Sequence, residues 1–145
     1  MTKLIITERQ YRLIKEYIDE TVEPEDVRRD RPALQTILDG KRNVGFLVIY
    51  NQETKELFDI AIKAGLKHIS IPQREGSFGK TVANVIYRKG HEQDAMRLAK
   101  IARKNEGYLP VNTPEETYEI GILLGYNPEK VKEFVLKNFP DFKFY

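Results

Sequence analysis

Apolar and polar residues change their spacing several times along this chain, and each change predicts an element. From Thr7 to about Glu20, Tyr11, Ile14, Tyr17 and Ile18 recur at helical spacing, and Thr7 with Gln10 forms a capping-box start. Glu23 to Arg31 is dense in charge. Pro32 then opens a short second helix running to Leu38, with Gly40 as its stop. Pro24 and Pro32 act as joints, so residues 1–30 read as an N-terminal helix and arm, and residues 31–145 as a single domain.

The texture changes at Val44–Tyr50, a nearly unbroken apolar run of the kind found in a strand covered on both faces. Glu53–Ala64 places Leu57, Ile60, Ala61 and Ala64 on one helical face, with Gly65 in the stop position. Leu66–Ile71 alternates as a half-buried strand ended by Pro72, and Thr81–Tyr87 is a third strand. Strand, helix and strand in short succession form a βαβ unit, which predicts that the first two strands run parallel with a right-handed crossover. Three helices follow. The first covers His91–Asn105 and stops near Gly107. The second starts at Thr113, with Pro114 at the first helical position and Glu116 as the capping glutamate, and ends at Gly125. The third runs from Asn127-Pro128 to about Asn138.

The predicted class is therefore α/β. A small mixed sheet of three strands, or slightly more, contains a βαβ unit, with one helix before it and three helices after it. The closing F-P-D-F-K-F-Y carries Phe139, Phe142, Phe144 and Tyr145. These rings either fold back on the core or form the contact of a homo-oligomer.

Composition narrows the functional classes. The longest apolar run, Val44 to Tyr50, falls far short of the ~20 residues a membrane helix needs. The opening M-T-K-L-I-I-T-E-R-Q has no signal-peptide core, so a cytoplasmic protein without membrane contact is expected. The chain has no cysteine, which removes disulfides, thiolate nucleophiles and cysteine-ligated metals. The net charge of +2 is unevenly spread: residues 1–27 carry 4 basic and 7 acidic side chains, residues 28–106 carry 16 and 9, and residues 107–145 carry 4 and 6. A basic middle between acidic ends suits an anionic partner, and it equally suits solvated helix faces.

Against that charge pattern, R-E-G-S-F-G-K-T at residues 74–81 stands out. A Walker A loop needs G-x-x-x-x-G-K-[ST], but Arg74 stands where the first glycine belongs and a strand follows where a helix should. What remains is a connection between strands that carries Arg74, Gly76, Ser77, Phe78, Gly79 and Lys80. Its glycines allow a backbone nest for an anion, and Phe78 can stack on a base or ring. The plain alternative is a hairpin turn. Arg88, Lys89, Arg97 and Lys100 add a candidate basic surface on and before the helix that follows. The modest net charge favours a small anionic ligand over long duplex DNA.

Catalytic groups are scarce. The two histidines are His68 and His91, and the two serines are Ser70 and Ser77. His68 and Ser70 lie two apart on one strand and share its exposed side, while His91 sits at a helix start. No spacing suggests a metal or a cofactor, and Glu115, Glu116 and Glu129 are explained by helix starts. No catalytic residue is assigned.

Two separated pieces, R-P-A-L-Q-T-I-L-D-G-K at Arg31–Lys41 and I-G-I-L-L-G-Y-N-P at Ile120–Pro128, together resemble an uncharacterised archaeal domain family with R-P-A-L and L-G-Y-P motifs. The family's cysteine pair is missing, with Glu129 and Lys130 in that region, so the resemblance implies a small α/β fold and no chemistry. The opening L-I-I-T-E-R-Q-Y is similar to the start of many small phage-encoded proteins. These features lead to a non-catalytic binding protein for an anionic nucleotide-like small molecule or short RNA. A viral accessory or counter-defence protein that sequesters a signalling nucleotide would fit that description. The expected contacts are Arg74, Ser77, Phe78, Gly79, Lys80, Arg88, Lys89, Arg97 and Lys100. The alternatives are a structural or protein-interaction protein, and an enzyme that acts on a phosphorylated substrate through carboxylates and Tyr87 or Tyr108.

Overall fold

The computed structural model describes residues 33–74 and 79–144. The expected helix at Thr7–Glu20, the arm at residues 1–30 and the side chains of Ser77, Phe78 and Tyr145 lie outside them. The elements in chain order are α1 (Ala33–Leu38), β1 (Val44–Ile49), α2 (Gln52–Lys63), β2 (Lys67–Pro72), β3 (Val82–Tyr87), α3 (Glu92–Lys104), α4 (Pro114–Leu123) and α5 (Pro128–Asn138). Each begins and ends within a residue or two of its expected bounds.

Local chemistry explains the starts. Asn51 accepts from the Thr54 amide at 2.8 Å while the Thr54 hydroxyl accepts from the Asn51 amide at 3.1 Å, a reciprocal cap on α2. Thr113 and Asn127 cap α4 and α5, each followed by proline at the first helical position. Glu116 does not complete the expected box; its carboxylate instead receives Lys104 and Asn105.

The sheet order is β1-β3-β2, and both outer strands run antiparallel to β3. β1 and β2 therefore point the same way, as the βαβ reading predicts, but they are not neighbours and the sheet is antiparallel rather than mixed. Burial gives the physical reason. Ala83 to Tyr87 are buried on both faces, so β3 gains most in the centre, whereas β2 is mostly exposed and settles at an edge.

Helices cover both faces. On one, Val44, Phe46, Val85 and Tyr87 pack against Ala95, Leu98, Ala99 and Ala102 of α3 and against Ile120, Val131 and Val135 of α4 and α5. On the other, Leu47 and Ile86 meet Leu34 and Ile37 of α1 and Leu57, Ile60 and Ala61 of α2. Gly121 lets α4 and α5 cross closely, because a Cβ there would lie 2.6 Å from Val131 Cγ1. Phe139, Phe142 and Phe144 fold back on the first core, with Phe142 and Phe144 edge to face at 4.9 Å and Tyr118 5.3 Å from Phe144. These three rings are thus used inside the chain.

Arg42 ties the layers together. It is 2% exposed, and no carboxylate among the described residues pairs with it. Its Nε donates to the Leu124 carbonyl at 2.6 Å, Nη1 to Thr36 Oγ1 at 3.4 Å and Nη2 to the Val44 carbonyl at 3.3 Å, while the guanidinium lies 4.4 Å from the Tyr126 ring centre. Replacing Arg42 with alanine is expected to cost about 3–5 kcal/mol by denaturant unfolding, through lost packing and unpaired buried carbonyls. Lysine should recover part of this loss, since it keeps the charge without the fork.

Candidate functional site

The connection between β2 and β3 has a buried base. The Gln73 amide donates to the Thr81 carbonyl at 3.1 Å, the Thr81 hydroxyl donates to Gln73 Oε1 at 2.5 Å, and Gln73 Nε2 donates to the Gly107 carbonyl at 2.8 Å. Gly107 closes the turn after α3 with φ of 90°, and a Cβ there would lie 2.7 Å from Gln73 Cγ and 3.0 Å from Gln73 Cα. One more residue along, the Arg74 amide donates to the Glu106 carbonyl at 3.2 Å and the Tyr108 hydroxyl to the Arg74 carbonyl at 3.3 Å. The hairpin is thereby fastened to the carboxyl end of α3. Gln73, Thr81 and Gly107 were not legible as a unit, because their partners lie 8 and 34 residues apart in sequence.

Beyond this base the cations face solvent. Arg74 is 73% exposed by side chain and 3.0 Å from the exposed Glu106 carboxylate, an ion pair that screening leaves weak. Gly79 adopts φ of 77° with open space where a Cβ would stand, and Lys80 is exposed. Tyr108 is exposed beside Arg74.

The other expected contacts do not converge on this loop. Arg88 and Lys89 follow the far end of β3, which spans about 20 Å from the Lys80 end. Arg88 serves the fold, with Nη1 donating to the Ile37 carbonyl at 3.2 Å and its guanidinium lying over Gly40. Lys89 is exposed there. Arg97 forms a fork with Glu119 at 2.8 and 2.7 Å, and Lys104 pairs with Glu116, so α3 spends two cations on α4. Lys100 remains exposed on α3. The basic surface of the sequence thus divides into a loop end, a far end and a neutralised helix face.

His68 and Ser70 share the exposed side of β2, as expected, without forming a catalytic pair. His68 stands edge-on to Phe58 at 5.0 Å, and the Ser70 hydroxyl donates to Asn84 Oδ1 at 2.7 Å. His91 occupies the N-cap position of α3 with no side-chain cap bond. Among the described residues no three metal-ligating side chains gather, and no described helix is long and apolar enough to cross a membrane.

Two measurements check this geometry. Gly107→Ala is expected to destabilise by about 2–4 kcal/mol, since strain and collision with backbone add, whereas Gly79→Ala should cost about 1 kcal/mol for the backbone angle alone. The hydrogen bonds from Arg97 hold the Glu119 carboxyl below its ordinary range. Its contribution to stability is therefore present above the ordinary glutamate pKa and lost as pH falls through the depressed value. In a carboxyl-carbon NMR titration, Arg97→Ala should return Glu119 to the ordinary range.

Comparison with known proteins found no matching family model, no matching curated protein and no matching solved structure.

Proposed function

We propose that this chain is a non-catalytic binding protein for a small, phosphate-bearing, nucleotide-like molecule held at the connection between β2 and β3. The observation that carries the reading is the contrast at that hairpin. Its ends are braced by the buried Gln73–Thr81–Gly107 network, while Arg74 and Lys80 stand in solvent on either side of the tip. Bracing reduces the ordering cost of binding, and exposed cations supply charge-assisted contacts to phosphate oxygens.

Position supports the same end of the molecule. The Ile49–Val82–Pro72 register sets the carboxyl ends of β1 and β2 and the exposed Val82 beside this connection, so an apolar surface adjoins the two cations. A small molecule suits the site better than a short RNA. Arg97, Lys104 and Arg88 are engaged elsewhere, so among the described residues these cations form no continuous track for a polynucleotide backbone. With no catalytic constellation assigned, such a protein acts by holding or sequestering its ligand.

Isothermal titration with pyrophosphate and a panel of nucleoside mono- and triphosphates tests this. The wild type should bind at least one of them, and Arg74→Ala combined with Lys80→Ala should weaken that binding more than tenfold. Its melting temperature should stay within about 2 °C, because both side chains are exposed. Binding that survives the double substitution, or a panel in which nothing binds, would overturn the reading.

A further inference from the structure

β3 is the central strand, yet one end of it is open on the face that α2 only partly covers. α2 lies over β1 and reaches β2 through Phe58 on His68. Val82 is 39% exposed, and its register partners Ile49 and Pro72 are half-buried and exposed. A central strand in a sheet covered on both sides normally hides such a residue. One step inward on the same face stands Asn84, only 1% exposed, between Leu47 on one side and Ser70 on the other.

Asn84 is an odd occupant of that position. Its strand neighbour Ile86 and its cross-strand neighbour Leu47 belong to the apolar core, and its Nδ2 has no hydrogen-bond partner among the described residues. Buried amide N–H groups are rarely left so, since the fold bears their desolvation with no return. Among the described residues its side chain hydrogen-bonds to the exposed Ser70 hydroxyl, which points its proton inward to Oδ1. Turning the amide over presents Nδ2 to Ser70 Oγ and frees the hydroxyl proton to point outward. Nδ2 then has an acceptor, Oδ1 takes the inner position in its place, and Ser70 has a proton for a group at the surface.

We infer that Ser70, set by Asn84 behind it, is the recognition contact for a nucleobase lying against Ile49, Val82 and Pro72. A base supplies both an apolar face for these side chains and an edge acceptor for the outward hydroxyl. Lys80 lies four residues before Asn84, just ahead of β3, at most about 13 Å along the chain. That distance suits a base joined through a sugar to one phosphate. The ligand class is a nucleoside monophosphate, or a larger nucleotide containing one. The inference rests on the phosphate site proposed above, and it adds the group that distinguishes one phosphate ester from another.

The test compares AMP, GMP, CMP and UMP with ribose 5-phosphate by isothermal titration, on the wild type, Ser70→Ala and Asn84→Leu. At least one nucleotide should bind the wild type about tenfold tighter than ribose 5-phosphate. Ser70→Ala should abolish that ratio while leaving ribose 5-phosphate binding unchanged. Asn84→Leu should do the same, since it removes the amide that sets the Ser70 hydroxyl. A ratio near one in the wild type, or one that survives Ser70→Ala, overturns the base contact and leaves the phosphate site standing. A lowered melting temperature with the ratio intact in Asn84→Leu makes the amide a structural group and also overturns it. Loss of all binding, ribose 5-phosphate included, removes both proposals. Ser70 is on the surface, so its variant decides the matter even if Asn84→Leu does not fold.

Discussion

A buried guanidinium needs partners for its donors, and Arg42, which no carboxylate among the described residues pairs with, finds three of them by drawing three parts of the chain together. The Leu124 carbonyl it receives is at the carboxyl end of α4, where helix carbonyls lack intrahelical partners and the dipole favours a cation. Thr36 belongs to α1 and Val44 opens β1, while the Tyr126 ring covers the guanidinium plane. The bond from Arg42 to Leu124 spans 82 positions of sequence, so the first strand and the C-terminal helices are fixed to one another by it. The sheet can then hold helices on both faces at set positions, and everything at the far end of β3 inherits that rigidity.

Rigidity and exposure are divided unevenly over the surface. Where cations serve the architecture they are consumed: Arg88 by a carbonyl of α1, Arg97 by a fork to α4. At the loop end a backbone held by the Gln73–Thr81–Gly107 network lies beneath charges that remain in water. The exposed Val82 lies at this same end, because β3 runs opposite to its two neighbours and the helix after β1 leaves over one edge. An antiparallel insertion in the middle of a βαβ unit thus places a charged loop and an uncovered apolar strip side by side.

Most of the fold was legible in local pattern. Helix starts at Thr113 and Asn127 and the stop near Gly107 depend on neighbours a few residues away, so their side chains announce them. The apolar texture of Val44–Ile49 and the alternation of Lys67–Pro72 reported their burial, and so did the shared exposed side of His68 and Ser70. The site was legible only in part. Arg74 and Lys80 were picked out as loop cations, but the grouping of Arg88, Lys89, Arg97 and Lys100 with them did not follow from adjacency: strand length separates Arg88 and Lys89, Glu119 on α4 neutralises Arg97, and Lys100 stays exposed on α3.

What the sequence determined by itself, then, was the set of elements, their ends and which faces are apolar, because those depend on interactions within one or two turns or along one strand. The tertiary structure alone decided that β3 lies between β1 and β2, that the terminal phenylalanines turn inward, and that Gln73, Thr81 and Gly107 meet. It also decided that Asn84 is buried behind Ser70 with a donor unpaired. Each of these rests on contacts between residues far apart in the chain. Such pairings are chosen by competition for burial among whole elements, and no short window of sequence contains both competitors.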